Sequence, residues 1–434
     1  MDCKLIDSCL LKYENQPDCL DPIYEIIKHL REKEFSRLAY ILGKNILREF
    51  SKKSKLSLYK LEDVLYELSI CAYYANKLIE GRIYSDKILH NRSVNYSLKH
   101  GIHSNLVWYL MKLDAFDSFP VPIDLPTLND NDKWRPLNPG IFKYKDSLCI
   151  NCRCVNYNQI GTSYISLHSD KKIRTRNFLI FCDSEFKPVK QVEVVDETTG
   201  PKYPKWIEGY EDCRFCTMSN GEVYFSSVTF HLTPEYLPQI SLCKLSNLEI
   251  TDNTSSIGID TVQRIKGPVP GRCEKNWLPF IHKYELCFVY MCDPFTILKP
   301  DLSNLNSTGI SCDVPYVQSC PYDLSKYRGS AAPIEFDGGL LMIIHEVIFS
   351  ANSERTYIHR FVWFDLESKS FPIKKISHAW YLKEKGIEFC SGMYKDEDSE
   401  IVYIAAGLKD REAWIFKVTS DTIRNYLYDL TNVN

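Results

Sequence analysis

The spacing of apolar residues changes once along this chain, and the change limits the folds that are open to it. Between residues 22 and 114, apolar side chains recur every three or four positions, which is typical of amphipathic helices. From residue 138 onward they alternate with polar side chains in short runs separated by turn residues, which is typical of strands. The sequence therefore predicts a helical segment followed by an all-β segment.

The change of pattern falls on a proline-rich stretch. Its prolines forbid a long helix there, and they are Pro120, Pro122, Pro126 and Pro136. We therefore predict an α-helical domain at residues 1–115, a proline-rich linker at residues 116–135 and a β domain at residues 136–434. Two acidic runs, Asp130 with Asp132 and residues 396–398, are interpreted as a solvated turn and a hairpin tip.

Helical spacing in the first domain is clearest at residues 61–79, breaks at Gly81 and resumes at residues 83–89. Antiparallel pairs with alanine, tyrosine and glycine at their contacts resemble tetratricopeptide repeats, and a plain helical bundle is the alternative. Either architecture predicts a docking module for a protein partner. Further helices are expected at residues 23–30, 35–50 and 104–113.

The second domain contains many short candidate strands and almost no helical pattern. They are residues 163–167, 177–181, 222–230, 286–290, 340–344, 357–364, 401–405 and 413–418. About 300 residues are too many for one small sandwich, whereas five blades of roughly 50 to 60 residues each fit that length. We therefore predict a mainly β protein, a five-bladed β-propeller preceded by an α-helical domain, in which distant polar residues converge on a central pocket.

One polar motif, residues 209–214, combines two carboxylates with a cation directly before a predicted strand. Adjacent side chains of an extended chain point to opposite faces. We therefore expect one of Glu211 and Asp212 to face a pocket and the other to brace the loop, with Arg214 on the side of Asp212. A carboxylic acid beside a fixed cation suits proton donation next to an anion such as phosphate. An exposed surface ion pair is the alternative.

Similar polar clusters recur at about one per predicted blade. In chain order they are Asn138 with Arg153, Asn156 and Tyr157; residues 175–179; residues 209–214; residues 274–280 with Lys275 and Asn276; residues 328–333 with Arg328, then residues 338–339, then His345 and Glu346; residues 359–361; residues 386–392 with Glu388; and residues 407–413 with Asp410. A propeller would bring these positions together, which favours a shared site over unrelated surface charges.

Over residues 136–420, these clusters resemble those of the five-bladed propellers related to β-mannoside phosphorylases and the similar protozoan β-mannosyltransferases. The Glu-Asp-x-Arg element before a strand is the most specific part. The order Glu-Lys-Asn-Trp, Arg-Gly-Ser, His-Glu and Ile-Glu-Phe-Cys adds to it. The phosphorylases usually carry proline at the position of Cys213, so the substrate and phosphate as the acceptor stay open.

The resemblance implies an enzyme that transfers a mannose-like glycosyl residue, as a glycosyltransferase or an inverting phosphorylase, with Asp212 as general acid or base. It implies a carbohydrate and a sugar phosphate or nucleotide sugar as ligands, and no cofactor or metal. The residues implied to bind phosphate or donor phosphate are Arg214, Lys275, Arg328 and His345. Those implied to bind sugar are Asn138, Arg153, Asn156, Tyr157, Glu211, Asn276, Glu388 and Asp410.

A site with one carboxylic acid and several cations suits phosphate as the nucleophile better than it suits water. Ordinary inverting glycosidases need two carboxylates about 6.5 to 9.5 Å apart, one of which activates water. Phosphate is already charged and needs positioning, so one acid with cations that offset the desolvation of the anion is enough.

Other interpretations stay open. The first is a hydrolase on the same fold, with Glu388, Glu346 or Asp293 as the base; the second is a non-catalytic sugar-binding or scaffold propeller. Taken singly, Lys275 and Arg328 could be surface charges, and His345 could be a core histidine. The aromatic residues could stack on sugars or pack in the core, and core packing is favoured for Trp277. These aromatic residues are Trp206, Tyr210, Trp277 and Trp380.

The composition restricts the class of protein. A net charge of −3 over 434 residues gives no electrostatic drive toward nucleic acid. The first residues lack the basic start and apolar core of a secretory signal, and no apolar run is long enough to span a bilayer. Seventeen cysteines without such a signal indicate free thiols in a reducing compartment, so we expect a cytoplasmic protein.

Two CxxC spacings, Cys149/Cys152 with Cys154 nearby and Cys213/Cys216, imitate zinc ligands. Both lie in strand-like sequence without knuckle glycines, so we predict that these cysteines bind no metal and form no disulfide. Elemental analysis of protein purified without added metal should show zinc far below one equivalent. Stoichiometric zinc would contradict this prediction.

Overall fold

The computed structural model describes residues 3–53, 59–128, 133–160, 163–203, 205–235, 237–246, 248, 251, 253–304, 309–349, 354–368, 372–396 and 399–430. It divides the chain into two compact units. The first runs up to Met111 and includes Pro321–Asp323, and the second comprises Lys112–Cys320 and Leu324–Leu430. The first unit is helical and the second is mainly β, as the change of spacing predicts.

The helices of the first unit pack in chain order, each against the next. Their facing sides are apolar, and Ile27 and Leu68 are fully buried. The α-helices within the described ranges are α1 Cys3–Asn15, α2 Asp21–Glu32, α3 Ser36–Lys53, α4 Leu61–Tyr74, α5 Leu78–His90, α6 Tyr96–Asn105 and, in the second unit, α7 Ser420–Tyr426. One-turn 3-10 helices occupy Leu106–Trp108 and Leu302–Asn304. None of the helices in these ranges is long and apolar enough to cross a membrane.

Two of the predicted helix boundaries are wrong. Helix α4 ends at Tyr74 because Asn76 adopts the left-handed conformation, with φ of 57°, and Lys77 N donates to Ala72 O at 2.8 Å. Gly81 lies inside α5 rather than between helices. A Cβ there would lie 2.5 Å from the Tyr109 ring, so the glycine permits close packing.

The helix predicted at residues 104–113 is also wrong, because α6 already ends at Asn105 and a single 3-10 turn follows it. Helix α6 begins earlier, where the Asn95 side chain accepts a hydrogen bond from Leu98 N and caps the first turn. Helix α1 was not predicted. The tetratricopeptide-like arrangement and the domain boundaries of the sequence analysis stay predictions.

Each of the eight predicted strands overlaps an observed strand. The strands are β1 Met111–Lys112, β2 Asp117–Pro120, β3 Arg135–Tyr144, β4 Ser147–Val155, β5 Tyr157–Ile160, β6 Ser163–Ser166, β7 Ile173–Cys182, β8 Pro188–Asp196, β9 Ile207–Glu208, β10 Glu211–Thr217, β11 Val223–Thr229, β12 Gln239–Leu245, β13 Ser256–Arg264, β14 Leu278–His282, β15 Glu285–Cys292, β16 Phe295–Pro300, β17 Cys312–Gln318, β18 Arg328–Phe336, β19 Gly339–Phe349, β20 Arg355–Phe364, β21 Ile373–Ser377, β22 Trp380–Tyr381, β23 Glu388–Lys395, β24 Ile401–Leu408, β25 Glu412–Thr419 and β26 Leu427–Asp429.

Antiparallel pairing within the described residues links twenty of these strands in five groups of four. The groups are β3-β4-β7-β8, β10-β11-β12-β13, β14-β15-β16-β17, β18-β19-β20-β21 and β23-β24-β25-β2. The first strands of successive groups contact one another in the order β3, β10, β14, β18 and β23, and β23 contacts β3 again. The inner strands therefore form a closed ring.

Strand β2 completes the fifth group, although its residues fall within the predicted linker. Residues 117–120 pair with β25, so that Asp117 lies opposite Lys417. Val121 and Trp134, also in the predicted linker, are buried in an apolar cluster with Ile150. These residues are thus part of the β unit, because proline is compatible with an edge strand although not with a helix. Asp130, Asp132, Glu397 and Asp398 lie outside the described residues.

The turn before β10 depends on a glycine. Gly209 has φ of 108°, and a Cβ there would lie 2.4 Å from Thr175 O. The strain of this φ and the overlap with Thr175 act together, so Gly209→Ala should lower the free energy of unfolding by about 2 to 5 kcal/mol.

Gly221→Ala is the matched control, because Gly221 also has positive φ, 83°, but no atom lies within 4 Å of the place that an added methyl group would take. This variant should lose only about 1 kcal/mol. Denaturant unfolding measures both values, and equal losses would show that Gly209 is not required for close approach.

Candidate active site

A cavity of about 260 Å³ lies where the inner strands of the β unit begin. It is lined mainly by polar side chains, with aromatic rings at the edges. The polar and charged residues are Asn138, Arg153, Gln159, Glu211, Asp212, Lys275, Asn276, His345, Arg355 and Asp410; the others are Leu137, Tyr157, Tyr164, Ile173, Ile207, Tyr357 and Phe389. The cavity collects residues from distant sequence positions, as the recurring polar clusters predict.

A buried arginine in this cavity binds two carboxylates. Arg153 Nη1 donates to Asp212 Oδ1 and Arg153 Nη2 donates to Glu211 Oε1, both at 2.7 Å. Arg153 is 4% exposed, whereas about a fifth of each carboxylate side chain is exposed. The guanidinium therefore fixes both acids from behind and leaves them open to the cavity.

The expectation that Glu211 and Asp212 face opposite sides is wrong. Asp212 has φ of 50°, and the register of β10 with β11 shifts between Glu211 and Arg214. This irregularity is a β-bulge, and a bulge changes the face to which the next side chains point. Both carboxylates consequently line the cavity.

Opposing effects act on the pKa values of Asp212 and Arg153. Burial alone would raise the pKa of Asp212, but the cations Arg153 and Arg214 and the hydrogen bond from Asn138 lower it below its ordinary value. Burial alone would lower the pKa of Arg153, but Glu211 and other negative groups raise it. Asp212 is therefore ionised at neutral pH.

Neighbouring strands hold the bulge in place. Asn138 Nδ2 donates to Asp212 Oδ1 at 2.8 Å, Ser227 Oγ donates to Glu211 O at 2.8 Å, and Asn177 Nδ2 donates to Tyr210 O at 2.9 Å. The first bond holds the carboxylate of Asp212, and the other two satisfy backbone oxygens of the irregular strand. The acid pair is thus positioned by three different strands.

Arg214 does not lie on the side predicted for it. Its Nε donates to Ser330 O at 2.9 Å, its Nη1 donates to the backbone oxygen of Asp212 at 3.1 Å, and its Nη2 donates to Asn276 Oδ1 at 3.4 Å. Arg214 is 3% exposed and is not among the residues that line the cavity. It supports the acid electrostatically and braces the inner strands.

The four residues expected around a phosphate are divided by the fold. Lys275 and His345 line the cavity of Asp212, whereas Arg328 lines a neighbouring cavity. Burial and the nearby Arg214 lower the pKa of His345 to about 3, so its imidazole is neutral at pH 7. His345 Nδ1 is buried and has no hydrogen-bond partner among the described residues.

The residues expected to bind sugar are divided as well. Asn138, Arg153, Tyr157, Glu211, Asn276 and Asp410 line the cavity. Asn156 does not, because its amide bridges two backbone groups: Nδ2 donates to Lys172 O at 2.9 Å and Oδ1 accepts from Arg174 N at 2.6 Å.

The carboxylate of Glu388 is also bound by backbone groups. Its carboxylate accepts hydrogen bonds from the amides of Leu382, Lys383 and Glu384 at 2.6 to 2.8 Å. Burial raises the pKa of Glu388, and these amides act in the opposite direction. Its side chain braces a loop outside the cavity lining.

The bases considered for a hydrolase lie away from this cavity. Glu346 follows His345 on β19 and therefore points to the opposite face of the strand. Asp293 lines the neighbouring cavity, where its Oδ2 accepts from Leu324 N at 3.3 Å. The second carboxylate near Asp212 is instead Asp410, whose pKa is raised mainly by burial.

None of the four aromatic candidates lines the cavity. Trp277 and Trp380 are buried, which confirms core packing for Trp277. Trp277 Nε1 also donates to Glu274 Oε2 at 3.1 Å. Tyr210 is buried and donates to Asp196, and Trp206 is exposed.

Five residues that were not predicted as site residues also line the cavity: Gln159, Tyr164, Arg355, Tyr357 and Phe389. Two of them start β20, the strand paired with the His345 strand, and His345 stacks on Tyr357 with ring centroids 5.8 Å apart. Tyr357 lies near the start of β20. An aromatic residue at that position of a strand is the sequence signal that could have found it.

Among the described residues, no group of three or more histidine, cysteine, aspartate or glutamate side chains could hold a metal ion. The cysteines of both CxxC spacings are free and buried. Burial raises the pKa of Cys149 and of Cys213 to about 12, so these thiols are protonated and poor metal ligands.

No protein-family model matches this chain, and no curated protein matches it. Among solved structures, β-1,2-mannobiose phosphorylase from Listeria innocua is similar, with a TM-score of 0.45 and 13% identity over 71% of this chain and 96% of that one. MPT-4, a mannose phosphorylase from Leishmania mexicana, has a TM-score of 0.42 and 11% identity over 77% and 98%. The GDP-Man-dependent mannosyltransferase MPT-1 from the same organism has a TM-score of 0.38 and 10% identity over 68% and 88%. At these distances the likenesses carry no argument about the site.

The geometry predicts that Arg153 is essential for stability. Arg153→Gln removes the partner of two partly buried carboxylates, and breaking a buried pair in this way costs about 3 to 5 kcal/mol. Arg264→Gln is the control, because Arg264 pairs at 2.7 Å with the half-exposed Glu235 and should cost at most about 1 kcal/mol. Denaturant unfolding compares the two, and similar losses would contradict the role given to Arg153.

The difference in unfolding free energy between wild type and Arg153→Gln should depend on pH. The pKa of folded Asp212 lies below the ordinary value of 3.8, so the ionised acid stabilises the fold above about pH 4 and this contribution is lost as pH falls through the folded pKa. The difference in unfolding free energy between wild type and Arg153→Gln should therefore shrink below about pH 4. A difference that stays constant on acidification would show that Asp212 is not stabilised by Arg153.

Proposed function

We propose that this protein is a carbohydrate-active enzyme that transfers a mannose-like glycosyl residue in the cavity of Asp212, and that its five four-stranded groups are the blades of a five-bladed propeller. The observation that carries the proposal is the pair Glu211 and Asp212, which Arg153 holds at the edge of a polar cavity. A fixed carboxylate beside amides and aromatic rings is suited to a ligand with many hydroxyls and an apolar ring face.

Asp212 is the general acid/base of the proposed reaction. In the synthetic direction its carboxylate accepts the proton of the acceptor hydroxyl, the oxygen forms the bond to the anomeric carbon, and the bond to the leaving phosphate breaks with its electron pair on the phosphate oxygen. In the reverse direction the protonated acid returns the proton to the glycosidic oxygen while phosphate attacks the anomeric carbon. The lowered pKa of Asp212 favours the ionised form that begins the synthetic direction.

The neighbouring polar residues hold the sugar. Asn138 and Asn276 present amides, and Tyr157 presents a ring and a hydroxyl to the cavity. His345 offers a neutral imidazole with an unpartnered nitrogen, which suits a hydroxyl better than a second charge. Lys275 is the exposed cation at this site, where it can contact an anionic part of the donor.

Hydrolysis is the second candidate, and Asp410 is the observation that favours it. This carboxylate lines the cavity together with Asp212, and the structure shows no hydrogen-bond or ion-pair partner for it among the described residues. Burial raises its pKa while Asp212 is ionised, and two carboxylates with opposite shifts can divide acid and base roles. Hydrolysis would release a free sugar in the absence of phosphate.

The helical unit and the compartment are secondary parts of the proposal. Exposed apolar side chains on the helices, including Ile79 and Trp108, favour a protein partner for this unit. The many free cysteines favour a reducing compartment such as the cytoplasm.

Asp212→Asn tests the proposal, because it keeps the size and hydrogen-bonding reach of the side chain but cannot accept the proton. Turnover of a mannosyl phosphate or nucleotide-mannose donor with a mannoside acceptor should fall by roughly two to four orders of magnitude. Binding of the donor, measured by calorimetry on the same preparation, should be kept.

Asp313→Asn is the matched control, since Asp313 is an exposed carboxylate on β17. It should react at the wild-type rate. Near wild-type turnover by Asp212→Asn would refute the assignment, and release of free mannose without phosphate or acceptor would favour hydrolysis over transfer.

A further inference from the structure

An aromatic pocket of about 210 Å³ lies on the helical unit and shares no described residue with the cavity of Asp212. We call it the Trp108 pocket. Two stretches of chain build it, and in each the lining residues follow the spacing that brings helical side chains to one face. The end of α4 supplies Ile70, Tyr73 and Tyr74, and the end of α6 with the turn after it supplies Asn105, Trp108 and Tyr109.

The rings of the Trp108 pocket are held in a fixed arrangement around Tyr73. The centroid of the Tyr73 ring lies 5.4 Å from that of Tyr74, 5.9 Å from that of Trp108 and 6.0 Å from that of Tyr109, with interplanar angles of 88°, 61° and 86°. Such edge-to-face contacts are favourable for aromatic pairs. Tyr109 is buried, and its hydroxyl donates to Ser69 O. The ring cluster is therefore anchored in the core of the helical unit.

The outer rings of the pocket face solvent. Tyr74 is 65% exposed and Trp108 is 60% exposed, so at least one face of each ring is open. Within the described part of the chain, the Trp108 Nε1–H, the Asn105 amide and the Tyr74 hydroxyl form no hydrogen bond. A rigid patch of exposed aromatic surface with unused polar groups is typical of a binding site.

The charge of the pocket restricts the ligand. Among the described residues, no charged side chain lines it. Phosphorylated and acidic peptides are bound by clusters of arginine, which this lining lacks. A methylated ammonium group is bound by rings that stand around it, whereas the other three rings here pack directly against Tyr73. The pocket is therefore suited to a neutral ligand.

The shape of the pocket distinguishes between the remaining modes of peptide binding. Addition of a β-strand needs a free sheet edge, and helices and a turn build this pocket. An amphipathic helix needs a groove for apolar side chains over about two turns, whereas Ile70 is the single aliphatic residue in the described lining. A polyproline II segment docks on aromatic rings, and its carbonyl groups are unpaired because proline has no N–H.

We propose that the Trp108 pocket binds a proline-rich segment of a protein partner in the polyproline II conformation. The prolines pack on the rings of Trp108 and Tyr74, and backbone carbonyls accept hydrogen bonds from the Trp108 Nε1–H and the Asn105 amide. Such a segment is extended before it binds, so its ordering costs little entropy. The inference rests on the protein partner proposed for the helical unit, and it does not depend on the reaction at Asp212.

Fluorine NMR of the full chain labelled with fluorotryptophan tests the location of this site. The probe is a polyproline decapeptide, and the Trp108 signal, assigned by its loss in Trp108→Phe, should shift during the titration. Trp206 is the internal control, because it is also exposed and lines neither the Trp108 pocket nor the cavity of Asp212. The Trp206 signal should not move, and a glycine–serine decapeptide should move neither signal.

Calorimetry with the same peptide tests the two outer rings. Trp108→Ala and Tyr74→Ala should each weaken binding by about tenfold or more, and both should fold because these side chains are mostly exposed. Tyr96→Ala is the matched control, since Tyr96 is an exposed tyrosine of the helical unit outside the pocket. It should bind with wild-type affinity.

The outcomes separate this inference from the proposed reaction. Trp108→Ala should turn over at the wild-type rate, and Asp212→Asn should bind the peptide as well as wild type does. The inference is overturned if polyproline does not shift the Trp108 signal, or if Trp108→Ala and Tyr74→Ala both bind like wild type. It is also overturned if mannotetraose shifts that signal and polyproline does not, which would identify a glycan site. In each of these cases, turnover that depends on Asp212 would still support the proposed reaction.

Discussion

The buried guanidinium of Arg153 is the interaction on which the site depends. It is held on β4 and reaches two consecutive carboxylates on β10. An arginine this deeply buried is stable only when its charge is compensated, and Arg153 in turn is one of the cations that lower the pKa of Asp212. The geometry of the bulge therefore depends on the ion pairs of Arg153 with Glu211 and Asp212.

The two neighbouring cavities differ in their linings. The first, which contains Asp212, is lined by amides, aromatic rings and balanced charges, and the second, which contains Arg328, has a surplus of cations. Lys275 and Asn276 belong to both walls, and Asn276 also accepts a hydrogen bond from Arg214.

Periodicity predicted the order of helices and strands because it is a local property of the chain, and each of the eight predicted strands overlaps an observed one. It failed where a few residues leave regular geometry. Asn138, Asp212 and Asn276 have φ of 44°, 50° and 64°, so the alternation of faces that an extended strand imposes does not hold at the site. Tertiary contacts fix these conformations, and no spacing rule contains them. Arg214, which spacing placed on the side of Asp212, and Arg328, which the resemblance implied for phosphate, lie outside the lining of this cavity.

The pairing of β2 with β25 has a consequence for the synthesis of this protein. Asp117 must wait for Lys417, about 300 residues later, before the fifth group of strands can form. At a synthesis rate of about 5 to 20 residues per second, that wait is roughly 15 to 60 s. For most of this interval the inner ring lacks the contact of β23 with β3, and β2 has no partner strand until β25 is made. The nascent chain must therefore keep an edge strand from pairing with other chains, and the prolines in and beside β2 remove donors that such pairing would use.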